Sequence, residues 1–121
     1  MKSVKMLLLF SITLIIVGSC SSGKRAFENG DYYRSVIKSV ERLRKNPDHR
    51  KSKETLDEAY PAAIDYLTKQ IEDLKLSGNR LKWGEIVSAY EQINSMADEI
   101  RRSPGARKII SNPRRYGAEL T

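Results

Sequence analysis

The side chains best suited to chemistry are few. His49 is the only histidine and Cys20 the only cysteine in 121 residues. A serine- or cysteine-based nucleophile needs a neighbouring base, and His49, set among Asp48, Arg50 and Lys51 on a charged turn, is poorly placed to be one. A zinc site asks for several histidine or cysteine ligands, which this chain does not have, so no metal site is assigned. Adjacent acids at Asp57-Glu58, Glu72-Asp73 and Asp98-Glu99 are the right type for general acid and base work. Neighbours on a helix diverge around its axis, so these pairs read as solvated helix faces. No catalytic residue and no cofactor is assigned, and the chain reads as a non-enzyme.

Cys20 stands out by its surroundings. The chain opens with a basic head at Lys2 and Lys5, continues through an apolar stretch from Met6 to Val17, and leaves it through small residues at Gly18 and Ser19. This is the anatomy of an export signal. A spanning helix needs about 20 apolar residues; this stretch is shorter and runs into the polar Ser21-Ser22-Gly23-Lys24-Arg25, so it is expected to be cleaved rather than retained. The exit Val17-Gly18-Ser19-Cys20 resembles the bacterial lipobox, an aliphatic residue and two small ones before an acceptor cysteine. Small side chains let a peptidase reach the backbone, and the thiolate is the nucleophile that takes up diacylglycerol.

That resemblance implies a signal peptide over residues 1–19, cleavage marked by Val17, Gly18 and Ser19, and lipidation at Cys20. The new amino terminus is normally acylated as well in such proteins, and two chains anchor stably in a bilayer. The first expected partner is therefore the lipid bilayer, held through acylated Cys20. Ser21 rather than aspartate follows the cysteine, and no acidic run resembling a surface-export signal comes after it. By analogy with other lipoproteins this points to the outer membrane, facing the periplasm.

Three other readings lose their basis with Cys20 taken up in this way. Gly18-Ser19-Cys20-Ser21-Ser22-Gly23-Lys24 matches most of a phosphate-binding loop, but Arg25 replaces the hydroxyl residue, no strand precedes it, and cleavage divides it. Lipidation also removes the only thiol ligand. Losing residues 1–19 takes Lys2 and Lys5 away and leaves a formal charge of +5 from the +7 of the whole chain. Such a balance in the cytosol suggests nucleic acid, but an exported, tethered chain without a recognition motif does not, and no nucleic-acid partner is assigned. The charge is instead sectioned. Residues 24–53 hold ten Lys/Arg against four Asp/Glu, residues 54–100 four against ten, and residues 101–121 six against one. Basic and acidic helices facing each other, or basic ends near anionic lipid or an acidic partner, account for it.

The elements that position these residues are helical. Residues 20–25 read as a lipidated polar tether. Ala26-Phe27-Glu28-Asn29 then runs into Gly30-Asp31, where glycine ends one helix and aspartate caps the next. Tyr33, Val36, Ile37, Val40 and Leu43 recur in steps of three and four, and Asn46-Pro47 stops that helix. A longer stripe joins Leu56, Ala59, Tyr60, Ala63, Leu67, Ile71 and Leu74, with Ser52 as its expected cap and Pro61 predicting either a kink or a restart. After Ser77-Gly78-Asn79, a third stripe takes in Trp83, Ile86, Val87, Tyr90, Ile93, Ala97 and Ile100 and is closed by Ser103-Pro104-Gly105. No alternating run is long enough for a strand. The expectation is an all-α domain over residues 26–104, followed by an extended tail over residues 105–121.

Ala26-Phe27-Glu28-Asn29-Gly30-Asp31-Tyr32-Tyr33, with Ser35, Val40, Leu43 and Asn46-Pro47 after it, resembles a tetratricopeptide repeat. In that family a helix ends at a glycine, an aromatic packs back on it and a proline closes the second helix, jobs for which Gly30, Tyr32 and Pro47 are the candidates. A weaker echo runs through Leu56, Ala59-Tyr60, Gly78, Trp83, Tyr90 and Pro104. Pro47 and Pro104 are 57 residues apart, against a repeat period of about 34, and Arg42 stands where a small residue is common. The resemblance is thus tetratricopeptide-like and implies antiparallel helical hairpins; such stripes equally suit a plain helical bundle, which packs the same way.

Fewer units than a repeat array needs would leave apolar surface for another protein. Aromatics on the stripes belong to the core by default; Tyr66, off its stripe, and Trp83 are the candidate partner-binding residues. The functional expectation is a membrane-anchored, non-enzymatic binding module for another cell-envelope protein. The alternative is a small ligand-binding or enzyme-accessory lipoprotein acting on cell-wall or lipid material, marked by a deep pocket with convergent polar groups.

Overall fold

Helical spacing of the apolar residues becomes five helices in the computed structural model, which describes residues 23–117. They are α1 (Lys24–Glu28), α2 (Tyr32–Lys45), α3 (Arg50–Leu76), α4 (Lys82–Arg101) and α5 (Pro104–Ile109), and there is no strand among the described residues. Val17, Gly18, Ser19 and Cys20, with the whole of the expected signal peptide over residues 1–19, lie outside the described residues. No helix among the described residues is long and apolar enough to cross a membrane.

Each boundary has a local cause. Gly30 adopts φ +79° after α1, and the Asp31 and Gly30 amides donate back to the Ala26 and Phe27 carbonyls, the wrap that a left-handed glycine permits at a helix end. The Asp31 side chain then accepts from the Arg34 amide and caps α2. Asn46 is extended before Pro47, as steric conflict with the proline ring requires. Gly23, at φ +84°, cannot be replaced: a Cβ there would sit 2.7 Å from the Ser35 carbonyl and 2.8 Å from Ser39 Oγ. Its own carbonyl accepts from Ser35 Oγ at 2.9 Å, so α1 is fastened to α2 at this point. Lys24 and Arg25, expected in the tether, are the first residues of α1.

Two expected boundaries move. His49, not Ser52, caps α3: its Nδ1 accepts from the Ser52 amide at 3.2 Å and lies 2.7 Å from Ser52 Oγ. The half-buried histidine therefore has a structural job, and Ser52 is a buried residue of the first turn. Likewise Pro104 does not only close α4 but opens α5, where Ser103 Oγ accepts from the Ala106 amide and proline occupies a first-turn position that needs no amide donor. The tail expected from residue 105 thus begins with a helical turn. Helix α3 passes through Pro61 without a restart. Pro61 and Asp57 are both exposed, so water reaches the carbonyl whose donor the proline removes.

The stripes meet in one core. Val36, Val40 and Leu43 from α2, Leu56, Ala59, Ala63, Leu67 and Ile71 from α3, and Ile86, Ile93, Met96 and Ile100 from α4 are buried together. Helix α3 is the middle element, packed by α2 and by α4, and α5 closes over all three. Gly105 makes this closure possible, since a Cβ there would sit 3.0 Å from Pro47 Cα and 3.2 Å from the Leu43 carbonyl. Truncating any of the fully buried Leu43, Leu56 or Ile93 to alanine is expected to cost about 2–5 kcal/mol.

Candidate functional site

Tyr66 projects from the middle of α3 where the stripe turns away, and it is 59% exposed. Its ring meets Tyr32 edge-on at 6.1 Å between centroids, and Tyr32 in turn stacks at a tilt on Phe27 at 5.6 Å. The left-handed turn at Gly30 delivers Tyr32 to this position at the start of α2. The resulting cleft, about 380 Å³, is floored by Ala63 and Leu67 and walled by Tyr33, Tyr66 and Gln92. Tyr33 is fixed by its hydroxyl, which donates to Ser95 Oγ at 3.2 Å. These are flat, amphipathic side chains held at the start of α2 and along α3, suited to receive an apolar or aromatic group rather than to move protons.

Trp83 lies elsewhere, in the first turn of α4, 61% exposed and with the Lys82 ammonium 5.4 Å from its ring centre. It does not contribute to the core, in contrast to Ile86, Tyr90, Ile93, Ala97 and Ile100 of its expected stripe, and Val87 of that stripe is only half-buried. The two candidate aromatics thus line different surfaces. Leu76, the last residue of α3, and Leu81, just before α4, are 89% and 77% exposed and were not singled out by spacing. A signal existed: Leu74 and Leu76 are two residues apart, so one helical face cannot take both.

A third feature escaped the sequence because its parts are distant in the chain. Residues 111–117 run without regular structure across α3 and α4. Asn94, buried in α4, holds this segment by its backbone: Nδ2 donates to the Tyr116 carbonyl and Oδ1 accepts from the Tyr116 amide, each at 2.7 Å. The Arg114 amide donates to the Tyr60 hydroxyl at 2.7 Å, and the Tyr116 ring tilts on Tyr90 at 4.9 Å. Burial raises the Tyr60 phenol above its usual range, with the Arg114 amide and the Arg114 and Arg101 charges offsetting part of that rise.

The acidic pairs divide. Asp57, Glu58, Glu72 and Asp73 are exposed, as expected of solvated helix faces. Asp98 and Glu99 are not merely solvated: Asp98 pairs with Arg115 at 3.2 Å, and Glu99 with Arg44 at 2.5 Å and Arg102 at 3.4 Å. The wider cleft, about 720 Å³ between α1 and α3, mixes Lys24, Arg50 and Lys51 with Glu28, Glu54 and Glu58 and has no single-sign field to hold a charged ligand. Among the described residues no group of three or more His, Cys, Asp or Glu is placed to hold a metal ion. No family model matches the chain, and no curated protein or solved structure is similar to it, so the exposed aromatic surfaces themselves are the guide to what it does.

Proposed function

We propose that this chain is a lipid-anchored, non-enzymatic binding module of the bacterial cell envelope, carried on tetratricopeptide-like antiparallel hairpins and docking another envelope protein. Export and cleavage after Ser19 leave Cys20 acylated in the outer membrane, and the helical domain faces the periplasm. The aromatic cleft at Tyr66 carries the reading. Aromatic anchors supply much of the energy of protein interfaces, and here an exposed tyrosine meets Tyr32 edge-on, with Tyr32 itself backed by Phe27, so an incoming group finds a row of aromatic rings already assembled.

A photoreactive amino acid at position 66, activated in living cells, is expected to capture one defined envelope protein, and competition by the purified domain with native Tyr66, but not with Tyr66→Ala, should remove the adduct. Failure to capture any protein, alongside binding of a small ligand by the purified domain, would overturn the module reading. The anchor has its own check. Cys20→Ala should abolish acyl labelling and leave an uncleaved or released precursor; continued labelling of that variant would refute it.

A further inference from the structure

The turn between α3 and α4 is the most apolar exposed part of the described residues. Leu76, Leu81 and Trp83 stand within eight residues of chain and are 89%, 77% and 61% exposed. Single exposed leucines need no explanation, but a cluster at one apex marks a contact surface.

Its charge is ordered by distance from the apex. Lys75 precedes Leu76, Arg80 precedes Leu81 and Lys82 follows it, whereas Glu72 and Asp73 sit three and two residues behind Lys75 and Glu85 two residues beyond Trp83. Two of these cations are held in place. Lys82 Nζ donates to the Ser77 carbonyl at 3.1 Å and the Lys75 carbonyl at 3.4 Å, closing the end of α3, and lies over Trp83. Lys75 Nζ donates to the Tyr90 hydroxyl at 3.3 Å. The apex also projects. Tyr66 is level with the start of α2 through its contact with Tyr32, and α3 continues from there to Leu76, roughly 15 Å at 1.5 Å per residue.

We propose that this apex inserts into the interface of an anionic lipid bilayer, with Leu76, Leu81 and Trp83 entering the boundary between headgroups and acyl chains and Lys75, Arg80 and Lys82 resting on the phosphates. Tryptophan favours that depth because its ring is apolar and its N–H is satisfied by the headgroup layer. Leucine gains by burial, and cations gain from the negative surface potential. The surface is distinct from the cleft at Tyr66, and the contact requires no acyl chain on Cys20.

Trp83 is the only tryptophan in the chain and reports on the apex without a label. All core residues fall between Ala26 and Ala106, so the chain from residue 20 onward, with Cys20→Ser to prevent acylation, contains the whole packed domain. Titrated with mixed phosphatidylglycerol–phosphatidylcholine vesicles, its emission should shift to the blue and be quenched by lipids brominated near the headgroup, with weaker binding to pure phosphatidylcholine and release by salt. Leu76→Ser with Leu81→Ser should weaken partitioning by about a hundredfold, tenfold for each leucine. Arg80→Glu, which changes the charge by two, should weaken it by about 25-fold.

All three side chains are exposed, so circular dichroism should be unchanged in these variants. Emission that does not respond to anionic vesicles, or partitioning unchanged by Leu76→Ser with Leu81→Ser, overturns the proposal. So does a protein crosslinked from position 83 in cells when vesicles leave Trp83 unmoved. Acyl labelling at Cys20 and capture from position 66 are separate measurements, so failure of the apex contact is distinguishable from failure of the binding-module reading.

Discussion

Replacing Asn94 by alanine tests how the segment at residues 111–117 is held. The amide side chain makes two 2.7 Å bonds to the Tyr116 backbone while only 6% exposed. Each such bond contributes about 1 kcal/mol net, and a backbone donor or acceptor left unpaired in a half-buried place adds to the loss, so about 2–3 kcal/mol is expected. At roughly 4–8 °C per kcal/mol for a domain of this size, the melting temperature should fall by about 10 °C or more. The loss is bounded by what the segment contributes altogether, because residues 111–117 can detach and let water reach Tyr116. Detachment would uncover Tyr60 and Tyr90 and break the Arg115–Asp98 pair. Urea titration gives the total, and native-state hydrogen exchange at the Arg114 and Tyr116 amides separates local from global opening. Asn94→Asp sharpens the test, since it keeps the acceptor for the Tyr116 amide but sets two oxygens face to face where Nδ2 now donates. A melting temperature within about 2 °C of the parent, with protection at Tyr116 unchanged, would refute the clamp.

Gly105→Ala should destabilise by about 1–2 kcal/mol despite alanine's better helix propensity, because the new Cβ would lie 3.0 Å from Pro47 Cα and 3.2 Å from the Leu43 carbonyl; urea midpoints decide. Burial raises the Tyr60 phenol, so the folded chain binds that proton more tightly than the unfolded chain does. Stability from this source is complete below the ordinary value of 10.0 and is lost as pH rises above it toward the folded value. Tyr60→Phe should therefore flatten the alkaline decline above pH 10.0 in urea midpoints taken across that range, while costing about 1 kcal/mol at neutral pH through the Arg114 amide. His49→Ala should cost about 1 kcal/mol by uncapping α3, and His49→Asp, whose carboxylate suits both the cap and the helix dipole, should restore it in thermal melts.

Much of the helical layout was legible in the chain. Gly30-Asp31 and Asn46-Pro47 mark boundaries through backbone sterics that act within a few residues, and both stand where expected. The long stripe from Leu56 to Ile71 is buried throughout. Caps were less legible, because serine and histidine at positions 52 and 49 can each offer an acceptor and only the actual backbone path of α3 selects between them. Pro104 carries the same ambiguity: proline ends one helix and suits the first turn of another equally well.

The candidate surfaces divide along the same line. Periodicity places Tyr66 off the core stripe, and its 59% exposure agrees. Periodicity also places Trp83 on a stripe, yet in the first turn of α4, beside the end of α3, the ring stays in solvent. The sequence by itself determined the local matters, which are the all-helical class, most helix boundaries and the core stripes, because each follows from interactions within four residues of chain. Only the tertiary structure decided that Asn94 grips Tyr116, that Tyr32 backs Tyr66 and that Leu76, Leu81 and Trp83 share an apex. Those contacts join residues that the helix period alone does not relate, and they arise from where α3 outruns α2 and where the chain returns across α4.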